Sequence, residues 1–113
     1  MDNINWLDEI DVAITVCDEK GIISYMNKKS EQTFEKDGGR ELIGTSLYDC
    51  HDDDANRQIK EQMRDMKLNC YTIEKKGKKK LIYQVPCIED EKLKGIAELS
   101  FVIPEEMPHF KRD

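Results

Sequence analysis

Residues 12–34, VAITVCDEKGIISYMNKKSEQTF, constrain the fold more than any other stretch. Val12, Ile14 and Val16 alternate with Ala13, Thr15 and Cys17, the period of a strand. Asp18-Glu19-Lys20-Gly21 reads as a turn, because Asp bonds its own backbone and Gly takes positive φ without a Cβ clash. Ile22 to Met26 are mostly β-branched, aromatic or apolar and predict a second strand. Asn27 ends that strand and caps a helix over Lys28 to Lys36 that turns Phe34 inward. The chain therefore opens on strand, turn, strand and helix.

The remaining elements follow from period and punctuation. Asn3 to Ile10 predicts a short amphipathic helix with Ile4, Leu7 and Ile10 on one side and Trp6 at the edge. After the first helix, Gly38-Gly39 marks a loop, Arg40 to Gly44 one helical turn, and Leu47 to Cys50 another. Asp52, Asp53 and Asp54 place negative charge where the next helix begins, against its free N–H groups. Their spacing matches no calcium loop. Ala55, Ile59, Met63 and Met66 recur at helical spacing and predict a buried stripe on a helix over 54–68, ended near Asn69.

Strands are then expected at 70–75, 79–87 and 94–103, the first two joined by a Lys76-Gly77-Lys78 turn and the last preceded by an acidic loop, Ile88 to Lys92. Leu81, Tyr83, Val85 and Cys87 share one face, and Ile82, Gln84 and Pro86 the other. Ala97, Leu99, Phe101 and Ile103 form a continuous apolar face opposite Glu98 and Ser100. Strands at both ends with helices between them suit an α+β fold, a five-stranded antiparallel sheet with helices packed on one face.

Composition excludes several functions. The 113 residues suit one domain with a modest core, divided into an N-terminal helix over 1–11, the domain proper over 12–104 and a polar tail over 105–113. Lys and Arg number 18 against 24 Asp and Glu, a net charge of −6, which gives no reason to expect nucleic acid as a partner. No apolar run approaches a membrane span and no signal peptide opens the chain, so no membrane partner is expected. Cys17, Cys50, Cys70 and Cys87 are far apart with no C-x-x-C pair, as reduced thiols of a cytoplasmic protein would be. The run Lys75 to Lys80 is open to two readings, a site for an acidic partner or nucleotide phosphates and, far more common for such runs, a solvated hairpin tip that also blocks edge pairing. No Gly-rich phosphate loop, Ser/His/Asp set or metalloprotease motif is present, so no enzyme is expected.

The order strand, Asp-x-x-Gly turn, strand, Asn and short helix, followed by Glu41-Leu42-Ile43-Gly44, resembles the PAS domain family, in its small bacterial sensor form. The resemblance covers about residues 7 to 104. It implies a sensory or signalling domain whose cavity between sheet and helices binds a small molecule and relays the change through protein contacts. On that footing the cavity residues are expected to be Tyr25, Phe34, Ile43, Leu47, His51, Ile59, Met63, Tyr83 and Phe101, with Ile59 and Met63 pointing at Tyr83 and Phe101. Ala55, one turn before Ile59, is expected to border the same space.

His51 is open to three readings: a helix-start side chain bonded to backbone or water, a polar ligand contact, or an axial ligand to haem iron. A flavin–cysteine adduct at Cys50 is rejected, since Asp49 and His51 replace the light-oxygen-voltage motif. The cofactor is otherwise unspecified. A homodimer through Trp6 and the outer sheet face is expected. No kinase, cyclase or helix-turn-helix follows in the sequence, so the signalling partner is expected in trans or in a larger chain. The alternative function is a ligand-free interaction module whose own side chains fill the core.

Overall fold

The computed structural model describes residues 6–113, leaving aside the side chain of Cys50. The expected helical start at Asn3 to Asn5 lies outside the described residues. In chain order come α1 (Trp6–Glu9), β1 (Ala13–Asp18), β2 (Ile23–Met26), α2 (Lys28–Thr33), three single-turn 3₁₀ helices, α3 (Asp53–Asp65), β3 (Asn69–Lys75), β4 (Lys78–Glu89) and β5 (Lys92–Val102). The five strands make one sheet in the order β2-β1-β5-β4-β3, every neighbouring pair antiparallel. The fold is the expected α+β arrangement. No helix of the described residues is long and apolar enough to cross a membrane.

The β1–β2 turn forms as its residues dictate. Asp18 Oδ1 accepts from the Lys20 and Ile22 N–H groups, each at 2.9 Å. Gly21 sits at φ 83° beneath the Tyr48 ring, which occupies the space a Cβ would need. Asn27 is fully buried, at 0% exposure. Its Oδ1 accepts from the Ser30 and Ile14 N–H groups, both at 3.0 Å, so it caps α2 and ties that helix to β1. Its Nδ2 donates to the carbonyls of Val12 (2.7 Å) and Leu7 (3.2 Å), which seats α1 on the same corner.

Three boundaries differ from the sequence expectation, each for a local reason. The 28–36 helix stops at Thr33, and Glu35–Asp37 continues as a 3₁₀ turn into the two glycines. Helix α3 ends at Asp65 because Met66 turns left-handed, at φ 52°, and its N–H closes on the Gln62 and Met63 carbonyls. The Ile88 to Lys92 loop is replaced by strand on both sides of Asp90-Glu91, a two-residue turn with both φ positive. Lys76-Gly77 has the same turn geometry, with φ of 53° and 76°. Gly95 is where β5 crosses β1 closely, since an added Cβ would lie 1.8 Å from the Cys17 carbonyl oxygen.

Register fixes the two faces. Ala13, Thr15 and Cys17 of β1 pair with Ser100, Glu98 and Ile96 of β5, which pair with Ile82, Gln84 and Pro86 of β4. Side chains alternate, so this set shares one face. The helices cover it: Met63 packs with Cys17 and Ile96, bordered by Leu47, Ile59 and Leu93. Burying side chains of this size contributes about 1.5–3 kcal/mol each. The opposite face carries Ile14, which is buried, and Val16, Leu81, Tyr83, Val85, Ala97, Leu99 and Phe101, which are half-buried.

Candidate functional site

Between the inner sheet face and the helices lies a cavity of about 520 Å³. This falls within the volume range of small-molecule sites. Met26, Ile23, Ile82 and Ile96 supply apolar floor, and Phe34, Leu42, Leu47 and Ile59 close it from the helical side. Charged side chains lie on its lining as well: Asp37 and Lys75, both exposed, and Lys80 and Glu98, both half-buried; the exposed His51 imidazole joins them.

One transverse row of the floor is polar across four strands. Thr15 of β1 stands opposite Glu98 of β5, Glu98 opposite Gln84 of β4, and Gln84 opposite Asn69 of β3. Asn69 Nδ2 donates to Gln84 Oε1 at 3.0 Å, and Gln84 Nε2 donates to Glu98 Oε1 at 3.0 Å. Both amides thus point their donors toward the carboxylate, and each bond polarises the next. Gln62, buried on α3, donates from Nε2 to the Gln84 carbonyl at 3.2 Å, which locks the helix to the same row. Thr15 hydrogen-bonds Ser30 of α2 through their hydroxyls. The second oxygen of Glu98 takes no hydrogen bond among the described residues. Burial, with the Glu98 carboxylate nearby, pushes the Tyr71 phenol up.

The rows on either side of this band are mostly apolar. On one side stand Cys17, Ile96 and Pro86, and on the other Ala13, Ser100, Ile82 and Tyr71. Beyond the second, Ile73 pairs with Lys80 and Lys75 with Lys78. Lys80 is pushed down by burial and by the positive charges of Lys75, Lys29, Lys78 and Lys76. No salt bridge joins Lys75, Lys80 or Glu98 to another described residue.

Of the nine residues expected to line the cavity, the structure brings four to it: Phe34, Leu47, His51 and Ile59. Met63 is buried in the adjoining packed core and receives the Tyr48 hydroxyl at 3.8 Å. Tyr25, Ile43, Tyr83 and Phe101 do not line it. Tyr25 pairs with Val16 on the opposite face, and its hydroxyl donates to Asp8 at 3.4 Å. Tyr83 and Phe101, paired with Leu99 and Leu81, also lie on the outer face, so Ile59 and Met63 do not meet them. Ala55 is also absent from the lining, and its N–H donates to the Asp52 cap. Alternation separates the two faces of a strand but leaves open which of them the helices cover, and the more apolar face is here the outer one.

Thr15, Gln62, Gln84, Glu98 and Lys80 were missed. The available signal was the shared parity of Gln84 on β4 and Glu98 on β5, two polar residues set among Ile82 and Ile96. His51 sits at the rim with Nδ1 2.7 Å from the Leu47 carbonyl, which leaves Nε2 without a protein partner among the described residues. Asp52 caps α3 through the Ala55 N–H at 2.8 Å, the helix-start role expected for the three aspartates.

Comparison with known proteins places this geometry. The family model for the PAS domain matches residues 11–93. No curated protein matches the chain at a significant level. Among solved structures, the Aer2 receptor from Vibrio cholerae, described as a dual PAS–haem oxygen sensor, superposes with TM-score 0.61 at 17% identity, over 82% of this chain and 95% of that one. The PAS domain of the histidine kinase ThkA gives 0.63 at 22%, over 79% and 96%. VqmA, solved bound to DPO, gives 0.68 at 9%, over 90% of this chain and 56% of that one. These identities support likeness of fold. The family match, spanning most of the chain, carries the assignment: the chain belongs to the PAS domain family.

Proposed function

We propose that this domain is a sensor that holds a small polar molecule against the inner sheet face and passes its presence on through protein contacts, without catalysing a reaction. The observation that carries this reading is the Thr15–Glu98–Gln84 band, oriented from behind by Asn69, inside an otherwise largely apolar cavity. Glu98 is half-buried and keeps one oxygen free of any donor among the described residues, on the lining where a polar occupant can reach it. Helix α3 is the element placed to respond. It reaches the band through the single Gln62 bond, so an occupant that competes for the band biases where the helix rests. VqmA, a structural neighbour solved with a small molecule bound, supports the same use of the fold.

The output is proposed to run through a homodimer and a signalling partner, in trans or in a larger chain, in the cytoplasm. Trp6 is 63% exposed at the start of α1, and the outer sheet face carries Tyr83, Leu99 and Phe101. The ligand-free interaction module is the competing reading and uses these same residues. A haem reading has one specific support, the His51 Nδ1 bond to the Leu47 carbonyl, which holds the ring as a metal-ligating histidine is held. Against it stands a floor whose middle is a carboxylate and two amides, chemistry made for a polar occupant.

Native mass spectrometry and an absorption spectrum of the purified protein test these readings together. Retention of a small molecule that Ser100→Leu, a substitution filling the floor, displaces is the expected result. A Soret band would favour haem. An empty cavity, with Ser100→Leu raising stability and no compound raising the melting temperature, would leave the interaction module.

A further inference from the structure

The cavity carries opposite charges at two fixed places, and neither is neutralised by the protein. Glu98 stands in the polar band, where one oxygen accepts from Gln84 and the other is open. Lys80 lies on the same face of the neighbouring strand, four residues along from Gln84, a backbone span of about 13 Å. Lys75 lines the cavity at the same end. Between the two poles the floor is Ile82, with Ser100 opposite it, and Phe34 lies on the helical side. The other titratable groups on the lining are Asp37, His51 and Tyr71, all exposed, and the buried Cys17.

Charge placement of this kind selects an occupant by its two ends. A half-buried carboxylate that accepts from the Gln84 amide alone has no further donor among the described residues, so it favours a ligand that brings one. The crowded Lys75, Lys78 and Lys80 ammonium groups favour a ligand that brings negative charge. Building on the small-molecule reading above, we infer that the cavity takes a small zwitterion: a protonated amine at Glu98, an anionic group at Lys80 and Lys75, and an apolar spacer along Ile82 and Phe34. Charge-assisted bonds at both ends would fix its orientation, and a single-ended analogue would forfeit one of them.

Thermal melting with a matched series tests the inference. The probes are 4-(aminomethyl)benzoate, which carries both charges on a rigid spacer, and 4-methylbenzoate, 4-methylbenzylamine and 4-methylbenzyl alcohol, which carry one charge or none. The zwitterion is expected to raise the melting temperature of the wild type more than the other three. Glu98→Gln, which keeps the acceptor for Gln84, should weaken its binding about tenfold, the scale of one charged hydrogen bond. Lys80→Met should weaken it similarly while leaving 4-methylbenzylamine unaffected. Should Glu98→Gln fail to fold, the Lys80→Met arm decides alone.

Equal stabilisation by the neutral alcohol, or shifts insensitive to both substitutions, would overturn the zwitterion inference and leave the small-molecule cavity standing. No shift with any probe also overturns the inference. The broader reading falls with it only if native mass spectrometry also finds no retained molecule and no other compound binds.

Discussion

Asn27 shows how much one side chain decides. It is fully buried and makes four hydrogen bonds, joining α1, the segment before β1, β1 itself and α2. Asn27→Ala would remove a helix cap and strand buried N–H and C=O groups, at a cost of about 2–4 kcal/mol. Asn27→Asp would keep the cap but turn a donor into a second acceptor against the Val12 carbonyl, and should also destabilise. Urea unfolding of the three proteins checks both, and an alanine variant as stable as the wild type would contradict this role. The cap itself was legible in the sequence, because it concerns residues three apart. The bonds to Leu7, Val12 and Ile14 were not, since they exist only once α1 and β1 have been brought to the same corner.

At the level of elements, α3 carries the clearest local test. Its last turn is closed by Met66, a non-glycine residue held at φ 52° and 41% exposed. Left-handed backbone costs an L-residue about 1 kcal/mol. Met66→Gly should therefore stabilise by up to about 1 kcal/mol, read as a higher urea midpoint with unchanged slope. A loss of stability would mean that Met66 packs against something that matters more. The same helix marks the limit of periodicity. Ala55, Ile59, Met63 and Met66 fall on one stripe, yet Met66 belongs to the cap, Ala55 lies off the cavity, and only Ile59 and Met63 face the sheet side as a stripe should. In the strands, pattern found which residues share a face, and the registers of β1, β4 and β5 follow it. Pattern did not say on which face the cavity lies, because Leu81, Tyr83, Leu99 and Phe101 made the other one look more like a core. Tertiary packing decided that, and with it the identity of the cavity.

For the whole molecule, the outer sheet face and the cavity make separate predictions. If the outer face and Trp6 join two copies, sedimentation at micromolar concentration should show a dimer that Trp6→Ala or Phe101→Asp shifts toward monomer, and a wild type that stays monomeric would rule the interface out. The central claim concerns the cavity. Its most direct test is ¹⁵N-edited NMR of the wild-type protein titrated with a library of small polar molecules. The account predicts that at least one compound shifts the Gln62 and Gln84 side-chain amides and the backbone amides of Thr15 and Glu98 together, while Leu81, Tyr83 and Leu99 respond less. Shifts confined to the outer face, or no compound that moves the polar band, would contradict it.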